Sequence, residues 1–169
     1  VSKTSYVHTG ASDTGNNVYR VRAITNEIKG EWSEPVTIVT QIIIKSGTIS
    51  KDTVWENTGA IYLVENNLTI AQGATLAIAP GVIVKFKGNV QLTINGNLIA
   101  KGEENKTIIF TAEKDAEYGG SDVVNASDYW RGILVTITGK FVGDNVKIKY
   151  AGVYNDNKTV GLEIAGGLN

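Results

Sequence analysis

The densest set of groups able to do chemistry lies between Phe110 and Val135. "AEKDAEYGGSDVVNASDYW" (Ala112 to Trp130) carries Glu113, Asp115, Glu117, Asp122 and Asp128, with Tyr118 and Tyr129 toward its two ends. Hard cations take several oxygen ligands, so calcium is the ion this loop would suit, with Asp115, Glu117 and Asp122 as candidate ligands. The spacing matches no calcium-loop signature, including the alternating Asp/Asn series closed by a glutamate. A solvated insertion loop accounts for the same residues, and the expectation is no cofactor. Aromatic rings also stack on sugars, which makes Tyr118 and Tyr129, with Asp122 and Asp128 beside them, the candidate ligand-binding set. Trp32 is a further aromatic candidate, whereas Trp55 and Trp130 are better explained as packing.

Catalysis has less to build on. Glycoside hydrolysis needs a pair of carboxylates across one bond. Glu103 and Glu104 instead share a polar turn with Asn105. The outward strand positions, Thr69, Thr93, Lys85, Lys147 and Lys149, form no acidic ladder, and Arg131 reads as surface. His8 is the single histidine, and no nucleophile and acid are placed around it. Cysteine is absent, which excludes disulfides, thiolate metal sites and a cysteine nucleophile. No catalytic residue is expected. Asn67, Asn105, Asn125 and Asn157 each open Asn-x-Ser/Thr, the N-glycosylation acceptor pattern, which is short enough to arise by chance in a chain rich in Asn and Thr.

Charge narrows the partners. With 16 basic and 17 acidic residues, the chain carries no field that would recruit nucleic acid or an anionic membrane. It contains no apolar run long enough for a membrane span. Hydrophobic residues make up 42%, enough for a packed core. The start at Val1 reads as a cut. Nineteen glycines against two prolines, among many Val, Ile, Thr and Asn, lean toward strands and tight turns.

The elements that would carry these groups repeat. "LTIAQGATLAIAPGVIVKF" (Leu68 to Phe86), "LTINGNLIAKGEENKTIIF" (Leu92 to Phe110) and "VTITGKFVGDNVKIKY" (Val135 to Tyr150) each run strand, glycine turn, strand, turn and aromatic. A fourth line opens at Leu162. Spacings in the twenties built of short strands predict a solenoid, in which coils stack and like residues form ladders. The phrases align Leu92, Val135 and Leu162; Ile94, Ile137 and Ile164; Leu98, Phe141 and Leu168; and Val84, Ile108 and Ile148. An aromatic ladder would hold Phe86, Phe110 and Tyr150, with Gly96, Gly139 and Gly166 at the corners, where glycine turns without steric cost.

Upstream, "NVYRVRAIT" (Asn17 to Thr25) and "PVTIVTQ" (Pro35 to Gln41) read as strands, with a shorter one over Thr4 to Gly10. "YRVRAITNEIKGEWSEPVTI" resembles the last three strands of a fibronectin type III domain. That family has about seven strands, and the first four are not in this text. A remnant of this kind would leave an open apolar face and an unpaired edge.

The later text resembles the start of a right-handed parallel β-helix of bacterial secreted and cell-surface proteins. The phrases that carry the likeness are "LAIAPGVIVKF", "GNLIAKG", "IIFT" and "WRGI". The resemblance implies an all-β fold divided into partial fibronectin-like strands over 1–41, a lead-in and N-terminal cap over 42–67, and coils over 68–169 that stop mid-coil. It implies a structural or adhesive segment of a multidomain extracellular or cell-surface protein, without enzyme activity. Self-association through exposed strand edges and contact with a polysaccharide are the expected partnerships. The alternatives are a carbohydrate-binding module or a non-catalytic fragment of a polysaccharide-degrading enzyme.

Overall fold

Strands of three to five residues are unstable alone, and the computed structural model shows how this chain combines them. It describes residues 16–25, 28–39, 41–44, 47–120, 124–152 and 162–164. The expected Thr4–Gly10 strand, His8, Asp122, Asn157, Gly166 and Leu168 lie outside the described residues.

The first part is antiparallel. β1 (Asn16–Tyr19) pairs with β4 (Val36–Val39), while β2 (Ile24–Thr25) and β3 (Ile28–Lys29) form a small hairpin between them. The single strand expected over Asn17–Thr25 is therefore two. Its middle stays tied to the return segment, because Ser33 N–H donates to the Val21 carbonyl at 2.7 Å and Gly30 N–H to the Ala23 carbonyl at 2.9 Å. Val18, Val21, Ile24 and Ile28 are exposed here, and the Arg22 guanidinium lies 4.4 Å from the Trp32 ring centroid.

From Gln41 onward every ladder between the described strands is parallel. The first sheet stacks β5 (Gln41–Ile44), β8 (Ile61–Val64), β11 (Ile83–Phe86), β14 (Ile108–Ala112) and β17 (Val146–Ile148). The second stacks β6 (Gly47–Ile49), β9 (Leu68–Ile70), β12 (Gln91–Ile94), β15 (Gly132–Val135) and β18 (Leu162–Ile164). The third holds β7 (Thr53–Trp55), β10 (Thr75–Ile78), β13 (Asn97–Lys101) and β16 (Lys140–Asp144). Chain order visits the three sheets in turn, so each coil supplies one strand to each, and the fold is a parallel β-strand solenoid. Residues 41–64 already join these ladders, with Trp55 buried and stacked on Tyr62 at 4.7 Å. Among the described residues, no helix is long and apolar enough to cross a membrane.

The core is a set of inward rows. Leu68, Leu92 and Ile133 form one, and Ile70, Ile94 and Val135 the next. The spacing between coils is about 4.8 Å, so each apolar side chain is covered by its equivalents above and below. Four of the five expected ladders need correction. Val135 opposes Ile94 rather than Leu92, and Ile137 is 81% exposed instead of inward. The cause is the corner before each glycine. β12 is followed by Asn95 and Gly96 before β13 opens, whereas β15 is followed by Thr136, Ile137, Thr138 and Gly139 before β16. The longer corner pushes Ile137 out while register downstream is kept, and Leu98 still opposes Phe141.

The other shift is in the first sheet, where Val84 opposes Phe110, Phe110 opposes Ile148, and Phe86 opposes Ala112. The turn over 102–107 is longer than that over 79–82 and moves the strand along. Tyr150 therefore drops out of the aromatic ladder. Phe86 still stacks on Phe110 at 6.4 Å, and Trp130 stacks on Phe86 at 4.0 Å with planes 5° apart, where Ala112 offers only a methyl group.

Gly96 and Gly139 do stand at equivalent corners, for a reason other than turning freedom. Neither has a positive φ. A Cβ on Gly96 would strike the Ala71 and Ala74 carbonyl oxygens, and one on Gly139 would strike that of Ile94. The coils pass too closely there for a side chain.

The corrected register predicts opposite fates for two isoleucines that the phrase alignment would equate. Ile94→Ala should cost about 2–5 kcal/mol by leaving a cavity in a full row. Ile137→Ala should stay within about 0.5 kcal/mol. Urea unfolding midpoints at unchanged m-value measure both; equal losses would refute the register.

Candidate functional site

The acidic insertion leaves the first sheet at Ala112, and the chain re-enters the coils at Trp130, just before β15 of the second sheet. A short 3-10 turn, Ala116–Tyr118, follows Asp115, whose side chain accepts from the Glu117 N–H at 3.1 Å. A second turn, Ala126–Asp128, precedes Tyr129, whose carbonyl accepts from the Asn89 N–H at 2.9 Å. Trp130 then closes the excursion. Its indole N–H donates to the Lys149 carbonyl at 2.8 Å, and its backbone bridges to Ala151.

Residues 113–118 fold over the outer face of the first sheet. Lys85 points outward on β11, as the alternation predicts, yet it is fully buried, because the insertion roofs it. Its ammonium donates to the Glu113 and Asp115 carbonyls at 2.9 and 3.1 Å. The reading of Lys85 as a surface position is corrected accordingly. Thr111, opposite Lys85 on the next coil, donates its hydroxyl to Asp115 Oδ2 at 2.6 Å. One coil further on, Lys149 donates to Asp115 Oδ2 at 3.0 Å and to Glu117 Oε2 at 2.7 Å. Asp115 is only 3% exposed and belongs to a folded clasp rather than a solvated loop.

Charge follows these contacts. Burial pushes the Asp115 carboxyl up, but the Thr111 hydroxyl, Lys149 and the Glu117 amide outweigh it and hold the group below the usual carboxylate range. Burial also opposes the charged form of Lys149, while Glu117 and Asp115 hold its ammonium well above the ordinary lysine value. Lys85 moves the other way: burial lowers it, and Asp115 and Glu113 offset only part of that. Burial and the adjacent Glu117 raise the Tyr118 phenol.

The candidate residues are brought together unequally. Asp115 and Glu117 do converge, but on an ammonium. Among the described residues, no three His, Asp or Glu side chains group as a metal site would require. Asp128 is held elsewhere, by Lys114 at 2.9 Å and the Asn125 N–H at 3.0 Å. Tyr118 and Tyr129 lie on one half-buried strip. The Lys149 ammonium sits 5.0 Å from the Tyr118 ring centroid and 4.9 Å from that of Tyr150, and Tyr150 meets Tyr129 edge-on at 5.7 Å. Of the Asn-x-Ser/Thr positions, Asn67, Asn105 and Asn125 are exposed. Asn67 Oδ1 also accepts from the Gln91 N–H at 2.9 Å, which ties one coil to the next, and Asn125 caps the second turn.

Beside Tyr118 runs a groove of about 450 Å³. Ile83 and Ile109, register partners on adjacent coils, line it together with Tyr118 and Lys147. The Glu104–Thr107 turn, Gly81 and Asn57 complete the lining. Lys85, Thr111 and Lys149 escaped attention as a group at the sequence level. Their signal was the shared outward parity of β11, β14 and the residues after β17, which register alone reveals. No family model, curated protein or solved structure matches the chain.

The clasp predicts an acid-sensitive component of stability. Because the folded pKa of Asp115 is depressed, its contribution is present above the unfolded value of about 3.9 and is lost as pH falls through the folded pKa. Asp115→Asn should cost about 3 kcal/mol at pH 7 by stripping Lys149 of a buried partner. The variant should also lose less on further acidification than the native chain. Chemical denaturation at pH 7 and pH 3 reads both; parallel losses in the two proteins would refute the clasp.

Proposed function

We propose that this chain is a structural and adhesive segment of a multidomain extracellular or cell-surface protein. In this reading, fibronectin type III-like strands over 1–41 hand over to a right-handed parallel β-helix, and the stacked coils space and display whatever the parent protein carries. The observation behind the proposal is the continuity of three parallel sheets through successive coils. A solenoid of this kind is long, stiff and extensible coil by coil, as suits a stalk. The right hand of the winding follows the general preference of parallel crossovers. No catalytic constellation is assigned, and the charge network on the outer face holds a covering segment in place.

Contact with a polysaccharide is a second reading, favoured by the groove beside Tyr118. A non-catalytic fragment of a polysaccharide-degrading enzyme has no separate observation behind it. Association with like chains is proposed through the strand edges and the exposed Val18, Val21, Ile24 and Ile28, a run of apolar surface within about a dozen residues.

Protease shaving of intact producing cells should remove the chain while leaving cytosolic markers whole. Retention inside shaved cells would sink the surface placement. The purified chain should release no product from pectin, alginate or chitin, and turnover on any of them would replace the stalk reading with an enzymatic one. Light scattering across a concentration series should show mass rising with concentration; a strict monomer throughout would remove self-association.

A further inference from the structure

We propose that Asn105 is the acceptor for an N-linked glycan, and that the fold selects it over Asn67 and Asn125, which carry the same Asn-x-Ser/Thr pattern. The proposal goes beyond the stalk function. Transfer joins Asn105 Nδ2 to the anomeric carbon of an oligosaccharide carried on a polyprenyl diphosphate. The C–N bond forms as the C–O bond to the diphosphate breaks. The diphosphate leaves with the electron pair, and the amide releases one proton to a base on the transferase. An acceptor must therefore offer a side-chain amide with no other partner and a hydroxyl two residues on, in a backbone that can bend away from the protein.

Asn105 meets these demands. With Glu104 it forms the tip of the turn between β13 and β14, where Glu103 and Lys106 exchange two backbone hydrogen bonds at 3.3 and 3.0 Å. Residues 103–106 are all exposed. Among the described residues, no hydrogen bond engages the Asn105 amide or the Thr107 hydroxyl. The Gly81 N–H donates to the Lys106 carbonyl at 2.7 Å, which pins the base of the turn and leaves its tip free. The Lys106–Glu103 ion pair across the turn spans 3.2 Å, with both side chains about 60% exposed, and a pair of that kind opens readily. No buried side chain has to move, since the inward row resumes only at Ile108.

The other two positions are exposed but bound. Asn67 Oδ1 accepts from the Gln91 N–H at 2.9 Å, and Leu68 beside it is only 2% exposed in an inward row. Thr69 stands in β9 between Thr48 and Thr93 of the adjoining coils, so presenting this triplet means unzipping β9 from both neighbours. Asn125 shares a capping box with Asp128, whose carboxylate is also paired with Lys114 at 2.9 Å. The Ser127 carbonyl lies so close to Gly88 that a Cβ there would come within 2.8 Å of it. Exposure is common to all three asparagines, and the freedom of the surrounding backbone is what separates them.

Incubating the folded chain with a polyprenyl-diphosphate-linked glycan and a single-subunit oligosaccharyltransferase tests the site, using an enzyme that modifies all three triplets as free peptides. The chain carries Asn157→Gln, which confines the signal to the described positions. Peptide mapping by mass spectrometry should find Asn105 occupied at least about tenfold more than Asn67 or Asn125, because only its turn opens without disturbing the coils. Asn105→Gln and Thr107→Ala should each abolish that modification, whereas Thr107→Ser keeps the hydroxyl and should retain it. Native chain recovered from the surface of producing cells should carry the glycan mass on the peptide containing Asn105. The proposal is overturned if Asn67 or Asn125 is modified as fully as Asn105, or if the folded chain stays bare while the free peptides react. It is equally overturned if surface-recovered chain has an unmodified Asn105.

Discussion

Everything in this molecule depends on hydrogen bonds that no coil can make for itself. A strand in one of the three sheets finds its partners in the coil before and the coil after, never within its own coil. Burying a backbone donor or acceptor without a partner costs on the order of 1–3 kcal/mol, so register between coils is the first thing the sequence must specify. Side-chain packing then follows the same rule, because an inward leucine is covered only by the inward residue one coil away. The rows Leu68–Leu92–Ile133 and Ile70–Ile94–Val135 express that single constraint twice.

The fold class was legible because this constraint writes itself into the text as a recurring strand, glycine and strand. The details were legible only where coils are of equal length. Leu98 and Phe141 could be matched because they follow the same glycine corner. Val135 and Ile94 could not, since the extra length lies between the strand and that corner, where an alignment anchored on glycine cannot see it. Phe86 and Phe110 shared a phrase-final position and do stack, but the lengths of the intervening turns set Ala112 rather than Phe110 opposite Phe86 in the ladder. Gly96 and Gly139 were located correctly and explained wrongly, since contact with a neighbouring coil is a three-dimensional fact.

The candidate site shows the same boundary. The insertion, its acidic residues and its tyrosines were evident as an interruption of the repeat. The partners that fold it down were not, because Lys85, Thr111 and Lys149 stand on three different coils and become neighbours only through stacking. Outward parity marked Lys85 and Lys149 as surface, yet the roof that buries Lys85 is made by residues nearly thirty positions further on. A buried lysine satisfied by main-chain carbonyls fixes the path of the covering segment, and the position of Tyr118 beside the groove follows from that path.

The corner at Thr136–Gly139 has a meaning for descent as well as for packing. It absorbs more residues than its counterpart at Asn95–Gly96, and the only side chain displaced is an isoleucine that now faces solvent. Insertions and deletions at such corners therefore leave the inward rows intact, whereas a one-residue change within a strand would turn a whole row inside out. Lineages of a solenoid built this way can vary in contour at every corner while each coil keeps its grip on the next. The corners are where such a protein can acquire new surface without first acquiring new stability.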